Sequence, residues 1–436
     1  MKLASGSLGF LRRVLTLFSG SLLGQIVGFL SAFLLTRLFG PEDFAELEWF
    51  ALILSVGMTL GTGRYERAFL LPKSDSDALV LVRRSFQWGH WTALASAIGV
   101  LICWFWAAFR GETVKWWWAL VPVGLWLAVA GTILEFWSHR EKKAAIVAGS
   151  KVSTALAGEG SKLAMGWMSM PSGLILGVVL GHVTRLVHLA RGNAQAWKRR
   201  RPVWPLPEWQ RKQAILRDYK EYPTWIMAGA MMNRVSQWVH VVLLAWVAGP
   251  ATIGVIGLTR RIVQQPMGIL AQAFAPVFYQ HLTEKSEDGA LRLTIFKGAL
   301  ALGGLAALAV GVVLTLPKGT LVWAFGVGWE DVLPMLELLI PWYALGFVTS
   351  GMANVLHRLR LPKLVTFLDG FHLLLVLLGW GLAHGSWLDA PEDIRPEWRG
   401  LWGIVLAKVT YHLLYLALIF VVLQRSSGET SSTTTK

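Results

Sequence analysis

Asn233, Gln237 and His240 fall at i, i+4 and i+7, and Arg261, Gln265, Gly268 and Gln272 keep a similar spacing with Pro266 among them. On a helix each set occupies one face, and the proline is a point where that helix can kink. Amides, an imidazole and a guanidinium on one stripe can hold a polar or anionic molecule. Both stripes lie in sequence too apolar for water, and polar groups deep in a bilayer usually face a cavity rather than lipid. Arg261 is the first candidate for a phosphate, because its planar fork matches phosphate oxygens. Its neighbour Arg260 points about 100° away and does not share that face. Arg234 is a further candidate, although it lies about 100° off its own stripe and is close enough to the helix end to snorkel. His240 is a candidate carrier of a coupling proton, because a free imidazole titrates near neutrality; the alternative is a structural histidine.

Other charged groups fall in apolar runs or at their ends. Arg64, Glu66 and Arg67 close the second run, where they either anchor the membrane end or make first contact with an anion. Lys151, Glu159 and Lys162 share the fifth run; Lys151 and Lys162 lie on one face, and Glu159 and Lys162 are spaced to pair along a helix. Gln25 borders a stripe of Gly20, Gly24 and Gly28, a spacing that packs helices closely. Glu135 reads as an isolated, exposed carboxylate, and Asp369 as either a cation ligand or, by default, a salt-bridge partner of Lys408 in the last run. None of these sets forms a nucleophile with its base. The chain has no Walker A, HExxH or CxxC motif, so no cofactor or metal is expected, nor enzymatic or ATP-driven work by this chain alone.

Composition explains why such residues need a cavity. Of 436 residues, 54% are hydrophobic and 15% charged, with a mean hydropathy of +0.51; soluble domains carry about 25% charged residues. The lone Cys103 lies in an apolar run and has no partner for an intramolecular disulfide. Tryptophans cluster at run ends (Trp116, Trp117, Trp118, Trp398, Trp402), as interfacial belts do. About twelve helical spans are expected: 14–36, 44–62, 87–108, 117–136, 144–168, 173–190, 223–247, 252–276, 295–316, 332–354, 364–384 and 400–423. Those from the fifth to the eighth carry internal charge. The first run is too long for a signal-peptide core and lacks a cleavage site, so it reads as a retained span.

The net charge of +15 would fit nucleic acid, but most of the 41 Lys and Arg fall in loops on one side of the spans. That side is therefore cytoplasmic, and both termini lie on it. The chain divides into a first six-span bundle (1–190), a basic cytoplasmic linker (191–222) with Pro202, Pro205 and Pro207, a second bundle (223–424) and a disordered Ser/Thr-rich tail (425–436). The expected fold is an all-α polytopic membrane protein: two six-helix bundles around a central cavity.

The residues also carry a resemblance. Leu15-Thr16-Leu17-Phe18-Ser19-Gly20, Thr36-Arg37-Leu38-Phe39-Gly40-Pro41-Glu42-Asp43-Phe44 and Arg64-Tyr65-Glu66-Arg67-Ala68, followed by Leu71-Pro72-Lys73 and Ala78, resemble the start of Wzx-type polysaccharide flippases. Tyr219-Lys220-Glu221-Tyr222-Pro223, Arg261-Ile262-Val263-Gln264-Gln265-Pro266 and Phe325-Gly326-Val327-Gly328-Trp329 resemble later motifs of that family, in the same order over nearly the whole chain. The resemblance implies the multidrug/oligosaccharidyl-lipid/polysaccharide exporter fold. It also implies export of an undecaprenyl-diphosphate-linked oligosaccharide across a bacterial inner membrane, as in O-antigen or exopolysaccharide synthesis. The expected partners are that lipid-linked glycan, membrane lipids, a coupling ion (H+ or Na+) and polysaccharide polymerase machinery, with no nucleic acid. A lipid II flippase or a multidrug extruder shares the fold, and a membrane glycosyltransferase or polymerase is the alternative of another class. Such enzymes place catalytic groups on large outside loops, and the longest here, 385–399, is short.

Overall fold

The computed structural model describes residues 2–200, 209–284, 288–358 and 362–433, with side chains described at 15–194, 209–268, 270, 293–352, 364 and 367–422. Every regular element among them is helical. In a bilayer core backbone groups have no water to bond, and a helix satisfies them within one segment.

Two compact units divide at Arg234 and Val235. Unit 1 contains α1 (Lys2–Leu38), α2 (Pro41–Gly61), α3 (Asp75–Arg110), α4 (Leu120–Arg140), α5 (Ala144–Trp167), α6 (Gly173–Arg200) and the short α7 (Trp209–Asp218). The boundary falls within α8 (Met227–Leu244); α9 (Pro250–Glu284), α10 (Asp288–Leu314), the one-turn α11 (Thr320–Phe325), α12 (Val332–Arg358), α13 (Pro362–His384) and α14 (Arg399–Thr433) complete unit 2. Each apolar run coincides with a long helix. Nine helices among the described residues are long and apolar enough to cross a membrane. The other three long helices, α5, α8 and α9, carry the charges and polar stripes noted above. This is a multi-pass membrane protein.

Local signals set the helix ends. Pro41 opens α2, where its missing N–H is not needed. Ser74 caps α3 by accepting the Asp77 amide at 3.2 Å, and Gly111 ends that helix in the left-handed region (φ 70°). Glycine sets the closest packing. A Cβ on Gly20 would fall 2.6 Å from Ala148 Cα, so α1 and α5 touch backbone to backbone. In unit 2 a Cβ on Gly403 would collide with the Gly379 carbonyl where α14 crosses α13.

Two stretches differ from the sequence reading. The 191–222 segment is helical on both sides of 201–208: α6 continues to Arg200, and α7 buries Ile215 among Tyr65, Phe69, Leu81 and Trp137. Pro202, Pro205 and Pro207, which marked an extended linker, lie outside the described residues. The tail expected to be disordered instead extends α14 to Thr433, since lengthening a helix is easier than nucleating one. Pro266 falls inside the continuous α9.

Candidate functional site

Unit 1 gathers arginines beyond the end of α2. Gly63 and Arg64 both take left-handed backbone (φ 56° and 58°). Glycine does this without steric cost, whereas an L-side chain gives up roughly 1–2 kcal/mol. The bend leads into a 3-10 turn, Tyr65–Ala68, whose Tyr65 and Ala68 are buried. Arg140 of α4 braces the following loop. It donates to the carbonyls of Phe69 (2.6 Å) and Pro72 (2.9 Å) and to Asp75 (3.0 Å).

On this support the Arg64 guanidinium lies 3.6 Å from Glu66, a pair in which Glu66 is almost fully buried. Burial holds Arg64 below its ordinary range; Arg67 adds to that effect, Glu66 opposes it, and Arg234 adds again. Arg64 and Arg234, distant in sequence, are thus electrostatic neighbours, with Arg67 beside them and exposed. Arg64 Nε is buried with no hydrogen-bond partner. Three cations against the one carboxylate that acts on Arg64 make an anion-attracting corner.

Lys162 leaves the candidate set of open-facing cations. It is 4% exposed, and its Nζ lies 2.7 Å from Glu159, which also accepts from Ser31 at 2.8 Å. Burial of an unpaired ammonium is costly, so the residue three positions away neutralises it. Lys151 is half-buried, its Nζ 3.5 Å from Ser21 Oγ. Gln25 is half-buried on α1, whose Gly20 and Gly24 face α5. Glu135 is neither isolated nor exposed: it is bonded to Arg185 of α6 and lies 3.9 Å from His139 Nε2. The partner is fifty residues away, beyond the reach of a helical spacing rule.

In unit 2 the α8 stripe splits. Gln237 is exposed and Asn233 half-buried, but His240 is 1% exposed, with its ring edge-on to Trp342 at 5.2 Å. Neither imidazole nitrogen of His240 has a hydrogen-bond partner. Arg260 stands over the Trp238 ring at 4.0 Å. Arg261 and Gln265 are half-buried one turn apart on α9, and Gln265 Oε1 is buried without a partner. The side chain of Gln272 lies outside those described. The expected Asp369–Lys408 bridge is replaced. Lys408 donates to the Ser236 carbonyl at 3.1 Å and sits 3.8 Å from the Trp342 ring centroid, while Asp369 acts on Tyr411 and Tyr415.

Sequence reading passed over His372 and His412. His372 stacks on Tyr411 at 4.2 Å, and His412 Nδ1 lies 2.9 Å from Thr349 Oγ1. Their only signal was their occurrence in apolar runs.

No family model and no curated protein matches the chain in sequence. Solved structures do match it in fold. One is an inward-facing multidrug resistance MATE family transporter of the MOP superfamily: 14% identity, 92% of this chain and 95% of that one, TM-score 0.63. Another is an outward-facing transporter of the same description, 15% identical over 95% and 96% of the two chains, TM-score 0.57. A third is a MATE structure in complex with MaD5, 15% identical over 95% and 96%, TM-score 0.59. This chain therefore has the fold of the MATE transporters, the all-α polytopic class expected above. These neighbours are transporters rather than enzymes.

Proposed function

We propose that this chain exports an undecaprenyl-diphosphate-linked oligosaccharide from the inner to the outer leaflet of a bacterial inner membrane by alternating access. The observation that carries the reading is the placement of Arg64, half-buried beside Glu66, with Arg67 and Arg234 acting on it. A diphosphate wants clustered cations, and guanidinium forks suit its oxygens. Arg261 with Gln265, and Asn233 with Gln237, supply half-buried or exposed polar groups suited to phosphate and glycan hydroxyls. Two carboxylates within the helices, Glu135 and Glu159, are matched by Arg185 and Lys162, which favours an anionic cargo over a cationic one. The ordered motifs of the Wzx-type resemblance point the same way. Under the basic-loop reading, Arg64 and Arg67 lie at the cytoplasmic mouth and meet the headgroup first, while the polyprenyl tail stays in lipid.

The test is outer-leaflet delivery of lipid-linked glycan in cells carrying Arg234→Ala or Arg261→Ala, with protein abundance matched. One hydrogen bond to a charged group contributes about 1.5–3 kcal/mol, so each change should slow delivery about tenfold or more. Normal delivery by both variants rejects the assignment. The second reading, a multidrug extruder, is favoured by the description of the fold neighbours. Extrusion of organic cations by the purified chain, without glycan delivery, would select it.

A further inference from the structure

Unit 2 contains a group of basic side chains that cargo binding does not use. Lys408 and His240 meet the same Trp342 ring, at 3.8 and 5.2 Å from its centroid, and His412, one turn from Lys408 on α14, has its ring 6.1 Å from that of His372. The lysine and the histidines come from α8, α13 and α14, and all four are at most 9% exposed. Both nitrogens of His240 and Nε2 of His372 are buried without partners. Lys408 itself rests on neutral groups, the Ser236 carbonyl and the Trp342 face. Among the described residues no three His, Cys, Asp or Glu side chains are placed to hold a metal ion. A cluster of four basic nitrogens at close quarters titrates as a unit, because like charges cannot all be borne there.

We propose that Lys408, His240, His372 and His412 form an internal proton-binding site in unit 2, and that its proton changes hands during the export cycle. The inference rests on the transporter reading for its purpose but not for its chemistry. The surroundings fit. From α9, Arg260 acts on His240. From α12 come Trp342, Tyr343 and the Thr349 hydroxyl; that helix's Glu337 is exposed. From α13 comes Asp369, which acts on Tyr411 and Tyr415 of α14. From α10 the titratable group among the described side chains is the exposed Lys297. The cluster is therefore rich in bases, with Asp369 the carboxylate at its edge. The step is a proton leaving Lys408 Nζ for an imidazole nitrogen, or for water, and returning. Only N–H and, at water, O–H bonds are made or broken, and nothing is oxidised. When the proton passes to water, one charge fewer in the packed interior of unit 2 alters the relative stability of its packings, as a conformational cycle requires.

The site is tested on the full-length chain in lipid nanodiscs by potentiometric titration from about pH 9 to about pH 5, with empty discs subtracted. Wild type is compared with Lys408→Met and with Lys408→Arg, which keeps a cation on Trp342 but cannot release its proton in that range. Monodisperse elution checks folding, and the conservative arginine variant covers the case where the methionine variant fails it. Lys408→Arg should take up about one proton fewer per chain than wild type, whereas Lys408→Met frees a histidine to bind in place of the ammonium and should lose less. Equal uptake by Lys408→Arg and wild type overturns the site whatever the cargo is. In proteoliposomes an NBD-tagged undecaprenyl-diphosphate N-acetylglucosamine should reach the outer leaflet about threefold faster or slower under an imposed pH gradient, and Lys408→Arg should lose that response. Wild-type delivery indifferent to the gradient overturns the coupling and leaves the export reading standing.

Discussion

Lys408 Nζ stands 3.8 Å from the centroid of the Trp342 ring, and its hydrogen bond goes to the Ser236 carbonyl at 3.1 Å. A fully buried ammonium is held here by a ring face and a backbone oxygen. Arg260 over Trp238 repeats the ring contact in unit 2, whereas the exposed Arg395 over Trp398 is also paired with Asp331. Tryptophan offers the best ring face for a cation and, unlike aspartate or glutamate, adds no negative charge to repel an anionic cargo.

That arrangement predicts an ordering of variants at Trp342. Trp342→Phe keeps a ring under the ammonium, whereas Trp342→Leu removes the π-face while staying apolar. Desolvated cation–π contacts contribute about 2 kcal/mol, so the leucine variant should be less stable than the phenylalanine variant by about 1–2 kcal/mol. Thermal unfolding of the detergent-solubilised variants reads this directly. Equal midpoints would reduce the contact to packing.

The Glu135–Arg185 pair gives a second prediction. Both side chains are 15% exposed and join α4 to α6. Removing one partner leaves a poorly hydrated charge and costs about 3–5 kcal/mol. Glu135→Gln and Arg185→Met should each lower stability, and the double variant should lose clearly less than the two losses added. Additive losses in that double-mutant cycle would show that the ion pair does not couple the helices.

How far such features could be read from the sequence depends on their range. The long helices were legible because a span needs a run of apolar residues, which is a local property. So was Lys162–Glu159, because a helix brings neighbours three apart together. Glu135–Arg185 was not, since nothing local marks two charges on different helices as partners. The same holds for His372 and His412, each a single polar residue in an apolar run until the helices pack. At Lys408 sequence logic chose Asp369 because opposite charges attract, and missed that a tryptophan face competes. The left-handed backbone of Arg64 was also invisible; Gly63 hints at a turn, but an arginine does not mark the region.

Glycine spacing supplies a third prediction, with an internal control. A side chain at Gly20 would meet the Ala148 backbone, whereas Gly304 on α10 has nothing within 4 Å of an added Cβ. Gly20→Val should therefore cost about 1–3 kcal/mol or more, with reduced yield of folded protein, because α1 cannot retreat from α5 without losing packing elsewhere. Gly304→Ala should be neutral or stabilising by up to about 1 kcal/mol, since alanine is the better helix former. Comparable loss from both changes, measured as monodisperse yield and melting midpoint, would refute close backbone approach at Gly20.

The arginine corner can be separated into backbone and charge. Arg64 sits at φ 58°, in contact with Glu66 and within electrostatic reach of Arg67 and Arg234. Arg64→Gly relieves the left-handed strain but leaves the buried Glu66 without its guanidinium, so stability should fall. Arg64→Ala removes the same charge and keeps the strain, so it should be less stable than the glycine variant by about 1 kcal/mol. If the corner captures a diphosphate, both variants should bind vesicle-borne undecaprenyl diphosphate more weakly by a similar factor, about tenfold for one charge-assisted contact. Arg64→Lys should recover part of that loss, because it restores charge without the planar fork. Raising salt should shrink the difference between wild type and Arg64→Gly, since the corner is partly open to solvent. Binding that tracks stability across the variants rather than charge would assign Arg64 to the fold alone.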